Sequence, residues 1–235
     1  MQIDAPAKAA LFKAAEHGNA SLFESLEGEE LRRALSLNNE DGRSLLHVAA
    51  AAGRTEVVSL LAAVGPAGNG VNGKDEDGWA PLHSAASCGN AEIVNILLEN
   101  GADVNLTNDG GRTALHYAAS KGWLKIAETL IANGADINKK DKVGCSPLHR
   151  AASTGHFELC ELLIEEGAEV DAVDKAGQTP LMQAVICQNN EVALLLIRHG
   201  ADVDIEDKEG YTVLGRASGD ARQSLVDAAR VMLEG

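Results

Sequence analysis

One short phrase, repeated six times at near-constant spacing, constrains this chain more than anything else in it. Ser44-Leu-Leu-His47, Ala80-Pro-Leu-His83, Thr113-Ala-Leu-His116, Ser146-Pro-Leu-His149, Thr179-Pro-Leu-Met182 and Thr212-Val-Leu-Gly215 follow one another at 36 residues and then four times at 33. A period of that length marks a stack of small supersecondary units, each completed by burying its apolar face on a neighbour. A glycine stands two residues before every phrase (Gly42, Gly78, Gly111, Gly144, Gly177, Gly210), and a second follows four of them at a common offset (Gly53, Gly89, Gly122, Gly155). Glycines fixed in register mark turns fixed in register.

Within a unit, Ser or Thr before Pro-Leu-His-x-Ala-Ala reads as a helix start. The hydroxyl accepts from free N–H groups of the first turn, where proline loses nothing by lacking a donor. The paired alanines allow close helix packing. Segments such as Ala91-Glu-Ile-Val-Asn-Ile-Leu-Leu-Glu99 place apolar residues at helical spacing, and Gly101, Gly134, Gly167 and Gly200 stand where a left-handed cap ends the second helix. The polar stretch from there to the next Asp-x-x-Gly suits a finger that reverses direction. A 33-residue pair of helices carrying this phrase resembles the ankyrin repeat. The resemblance implies an all-α ankyrin-repeat solenoid of about seven helix-turn-helix units with β-turn fingers, forming one domain over 1–235. Its units are 39–74, 75–107, 108–140, 141–173 and 174–206, between an N-terminal cap at about 7–38 and a C-terminal cap at 207–235. Gly65-Pro-Ala-Gly-Asn-Gly70 accounts for the 36-residue spacing as an insertion of three.

Charge and cysteines narrow the function. With 35 acidic against 20 basic residues the net charge is −15, which opposes nucleic acid and anionic membrane as partners. Cys88, Cys145, Cys160 and Cys187 form no C-x-x-C pair, so neither zinc nor a disulfide framework is implied. No stretch has the apolar length of a membrane span, and a soluble, cytoplasmic and nuclear monomer is expected. The in-phase histidines invite a metal reading, but packed helices lie roughly 8 to 10 Å apart while zinc–nitrogen bonds are about 2.0 Å. They are expected instead to bond backbone groups of the next unit. Gly68-x-x-x-x-Gly73-Lys74 matches part of a phosphate-binding loop, yet Asp75 replaces the Ser or Thr that would ligate magnesium. A nucleotide hydrolase is therefore set aside; no cofactor and no catalytic residue is predicted.

In such a stack, fingertips and the open side of each first helix form a concave face, where varying residues specify a partner. The fingertips offer Glu40, Asp41, Arg43, Glu76, Asp77, Trp79, Asp109 and Arg112, then Lys142, Lys175, Gln178, Lys208, Glu209 and Tyr211. First helices offer Val48, Ser84, Ser87, Tyr117, Lys121, Arg150, Gln183 and Arg216. Acids gather early and lysines late, a polarity that orients an oppositely charged partner. Trp79 stands where the scaffold needs no indole and is the sharpest candidate anchor.

Asp75-x-Asp77-Gly-Trp79-x-Pro-Leu-His83, Thr113-x-Leu-His-Tyr-Ala-Ala-Ser-Lys121, His149-Arg-Ala-Ala152 and the ending Met232-Leu-Glu-Gly235 are similar to gankyrin-type ankyrin-repeat proteins, non-ATPase companions of the 26S proteasome. The resemblance implies an assembly chaperone that holds the C-terminal domain of one regulatory-particle ATPase subunit. It places Asp41 and Glu76 against basic residues of that subunit and Arg43 and Lys121 against acidic ones, with Trp79 packed nearby. Trp79, Arg112, Tyr117 and Arg150 complete the expected binding set. The animal members' retinoblastoma-binding Leu-x-Cys-x-Glu is replaced by Gln183-Ala-Val-Ile-Cys187, so that partner is not implied. The rival is an ankyrin adaptor for a kinase or transcription factor, using the same face.

Overall fold

The computed structural model describes residues 5–64, 70–219, 222, 223 and 225. Most of the inserted Gly65–Gly70 segment, the start of the phosphate-loop match and the ending Met232–Gly235 lie outside the described residues. Among those described there are helices and one isolated antiparallel bridge, Asn38 with Ser44. None of the helices is long and apolar enough to cross a membrane.

The chain divides into two compact units. The first runs up to Ala114 and takes in Ala132–Ala135; the second comprises Leu115–Ile131 and continues from Asp136. In the first unit lie α1 (Ala5–His17), α2 (Ala20–Glu24), α3 (Gly28–Leu35), α4 (Leu45–Ala51), α5 (Thr55–Ala63), α6 (Pro81–Cys88) and α7 (Ala91–Glu99). First helices pack in the order α1, α4, α6, and second helices in the order α2, α5, α7. The alanine pairs Ala49-Ala50 and Ala85-Ala86 are fully buried, which brings the backbones of α4 and α6 close. Val57, Val58, Leu61, Ile93, Val94 and Leu97 fill the space behind them. Truncating any of these leucines to Ala removes about 2–5 kcal/mol. The N-terminal cap holds more than a helix pair: α2 is short, and α3 is inserted before the first finger.

The second unit contains α8 (Ala114–Lys121), α9 (Leu124–Ala132), α10 (Pro147–Thr154), α11 (Phe157–Glu165), α12 (Pro180–Ile186), α13 (Asn190–Arg198) and α14 (Val213–Arg216). Here α10, α12 and α14 pack successively, as do α11 and α13. In the α12–α13 turn the left-handed position held elsewhere by glycine is taken by Gln188, at φ 62°.

Each finger is built by one side chain. Asn39, Asp75, Asn108, Asp141, Asp174 and Asp207 turn Oδ1 inward to accept two backbone N–H groups, from the residues two and four positions on. For Asp75 those donors are Asp77 at 3.1 Å and Trp79 at 2.8 Å. This closes the reversal that the sequence marks only as polar.

Candidate functional site

The recurring histidines hold finger to helix. Nε2 of His47 reaches the Trp79 carbonyl at 2.8 Å, Nε2 of His83 the Leu106 and Arg112 carbonyls at 2.9 and 3.0 Å, Nε2 of His116 the Cys145 carbonyl at 3.1 Å, and Nε2 of His149 the Gln178 carbonyl at 3.1 Å. A carbonyl only accepts, so Nε2 carries the proton. Nδ1 of His47, His83 and His149 then accepts from the backbone N–H of Ser44, Ala80 and Ser146. Both ring nitrogens of these three are used, as expected of a structural imidazole. Burial pushes His83 down to about 4 and lowers His47 and His149 as well.

These bonds fix the backbone of Trp79, and the indole then faces His83 edge-on, with ring centres 6.1 Å apart and planes at 61°. Half-buried, it forms one wall of a cleft of about 380 Å³ lined by Asp41, Arg43, Asp75, Glu76, Asp77 and Trp79. The Glu76 N–H donates to the Asp41 carbonyl at 3.1 Å, which sets one finger against the next. Arg43 lines the cleft as well. Its Nε lies 3.4 Å from Asp75 Oδ2, and one terminal nitrogen donates to Ser84 Oγ at 3.4 Å. Asp75 is thereby neutralised, while Asp41, Glu76 and Asp77 stay exposed. The cleft therefore combines an aromatic face with three carboxylates beyond the internal pair. It suits a cationic side chain, which gains about 0.5–2 kcal/mol from an indole face and more from flanking carboxylates.

Four of the eight expected contact residues thus meet in one cleft: Asp41, Arg43, Glu76 and Trp79. Arg112 is half-buried in the same unit at the foot of the third finger. Tyr117, Lys121 and Arg150 belong to the second unit; Lys121 is exposed and Tyr117 half-buried. Arg150 is paired through its guanidinium with the buried Asp141 carboxylate. Ser84, expected on the open face, is only 2% exposed because Arg43 covers it. Lys74, from the phosphate-loop match, donates instead to the Thr107 carbonyl at 2.6 Å.

A set of internal pairs escaped the sequence reading. In the second unit the residue nine positions after each finger aspartate meets that aspartate's second oxygen: Arg150 for Asp141, Gln183 for Asp174 at 3.4 Å, and Arg216 for Asp207 at 2.7 Å. Burial works against ionisation of Asp141. The Arg150 guanidinium and the N–H groups of Cys145 and Val143 outweigh it and hold the carboxyl below its usual range. The signal was the constant offset of nine, visible once the finger aspartate is known to face inward.

A family model described as ankyrin repeats (3 copies) matches residues 11–108, 74–141, 100–174 and 148–234, which together run without a gap from 11 to 234. No curated protein matches the sequence closely enough to count as a relative.

Proposed function

The chain belongs to the ankyrin-repeat family, an all-α solenoid whose members bind other proteins and are generally not enzymes, and from that premise we propose that its first unit holds basic side chains of a partner in the cleft around Trp79. The observation that supports this most is the pairing of Arg43 with Asp75. It removes one carboxylate from use and leaves Asp41, Glu76 and Asp77 around the indole for an incoming cation. The fingers that carry them are held by side-chain and backbone hydrogen bonds, so little ordering is needed on binding.

The client we propose is the C-terminal domain of a proteasomal ATPase subunit, on the strength of the resemblance of Asp75 to His83 and Thr113 to Lys121 to gankyrin-type proteins. The chain would then act as an assembly chaperone of the regulatory-particle base, in cytoplasm and nucleus, as a monomer and by reversible occupancy. An occupied domain cannot dock early on its neighbours.

The test is titration with that isolated domain, followed by Trp79 fluorescence in a Trp123→Phe background at two salt concentrations. Binding should weaken at the higher salt and fall at least about tenfold in Asp41→Lys/Asp77→Lys, since both charges meet the ligand in the cleft. No binding at either salt removes the proteasomal client. Binding unaffected by the double substitution removes the cleft as its site.

A further inference from the structure

The second unit carries three lysines that its own carboxylates leave alone. In the sequence Asp141-Lys142, Asp174-Lys175 and Asp207-Lys208 look like self-cancelling pairs. In the folded chain the charges separate. Each aspartate turns inward, giving one oxygen to two backbone N–H groups and the other to Arg150, Gln183 or Arg216. Each lysine is exposed, and none has an ion pair among the described residues. Glu209, the acid next to Lys208, is drawn to Arg216 at 2.9 Å.

The three lysines occupy the same place in successive fingers, and the fingers are joined through their backbones. The Lys175 N–H donates to the Val143 carbonyl and the Lys208 N–H to the Ala176 carbonyl, both at 2.9 Å. The backbone positions that carry the lysines therefore recur at the repeat spacing, roughly 10 Å for packed helices. Exposed apolar groups lie on the same fingers: Val143, Val173 and Tyr211, the last backed by Arg216 at 4.5 Å from its ring.

We propose that this finger edge is a docking surface for an extended acidic segment of a protein partner, with a carboxylate at about every third residue and apolar side chains between. An extended segment in the polyproline-II conformation has three residues per turn and rises about 3.1 Å per residue, so every third carboxylate falls on one face at close to the spacing of the lysines. The apolar residues between them meet Val143, Val173 and Tyr211. A nucleic acid fits less well. A duplex carries a charge per about 1.7 Å of axis, a density that must be brought against a chain of net charge −15. Its preference is opposite to that of the acidic cleft of the first unit.

The experiment is fluorescence anisotropy of a labelled peptide of Glu-Val-Thr triplets titrated with the full chain. Lys142→Glu/Lys175→Glu/Lys208→Glu is compared with Lys13→Glu/Lys125→Glu/Arg198→Glu, which reaches the same net charge from exposed positions elsewhere. The parent should bind, the first variant should lose at least about tenfold in affinity, and the second should lose far less. Single Lys→Ala changes at the three sites give the same reading if the triple variant loses its helical circular dichroism. Absence of peptide binding to the parent, equal loss in both triple variants, or tighter binding of a single-stranded oligonucleotide of equal charge overturns the proposal.

Discussion

The imidazole of His83 can bridge its finger and helix only while uncharged, because Nδ1 must accept a proton that a charged ring would itself carry. His47 and His149 are held in the same way. In the unfolded chain each ring titrates near 6.5, whereas burial holds His83 to about 4 and lowers the others. Below pH 6.5 the unfolded state therefore binds protons that the folded state refuses. Stability is flat above that pH and falls as pH drops towards 4. His83 alone accounts for about 3 kcal/mol across that window, at about 1.4 kcal/mol per pH unit. Urea midpoints measured from pH 8 to pH 4.5 should decline below 6.5, and His83→Gln should lower stability at pH 8 while flattening the decline. Midpoints that stay level from pH 8 down to pH 4.5 would overturn this and leave acid sensitivity to carboxylates such as Asp141, which is held below its usual range.

At the scale of the repeat, stability depends on how tightly one finger is set against the next. Gly144 has φ 86°, and a Cβ there would lie 2.7 Å from the Lys175 nitrogen and 3.0 Å from the Asp174 backbone. Gly167 has a similar conformation, φ 95°, but faces open space. Both Ala substitutions meet the left-handed penalty of about 1–2 kcal/mol. Gly144→Ala also forces fingers apart and strains the Lys175 to Val143 bond, so its loss in urea unfolding should exceed that of Gly167→Ala by about 1–3 kcal/mol. Equal losses would mean that the fingers yield without resistance. The turns and helix starts were legible in the sequence because glycine, proline and Ser or Thr mark backbone geometry locally. The partner of each buried charge was not. A sequence gives Asp141, Arg150 and Lys142 equal standing as surface charges, and only the inward turn of the finger pairs the first two and leaves the third outside. The same limit hid the burial of Ser84 beneath Arg43, and α3, whose apolar spacing merges with that of the cap. Trp79 was legible as the one indole in a fingertip, but its cleft was not, since Arg43 and Asp75 come from different repeats.

For the whole molecule, 35 acids against 20 bases set a standing repulsion that folding must overcome. The closest opposite charges do little to relieve it on the surface. Asp141 with Arg150 and Asp207 with Arg216 lie largely inside, where salt reaches them poorly. Glu29 with Arg32 and Arg33 is an exposed group at 3.7 Å, of a kind that contributes under about 1 kcal/mol. Screening should then remove more repulsion than attraction. Raising sodium chloride from about 10 to about 300 mM shortens the screening length from about 30 Å to less than 10 Å, enough to separate charges on neighbouring repeats. The thermal midpoint should rise by a few degrees over that range. It should rise less in a variant with exposed acids such as Glu40 and Glu76 changed to Gln, which begins with less repulsion. A midpoint that falls with salt would show that exposed ion pairs, and not the excess of carboxylates, govern the charge contribution to stability.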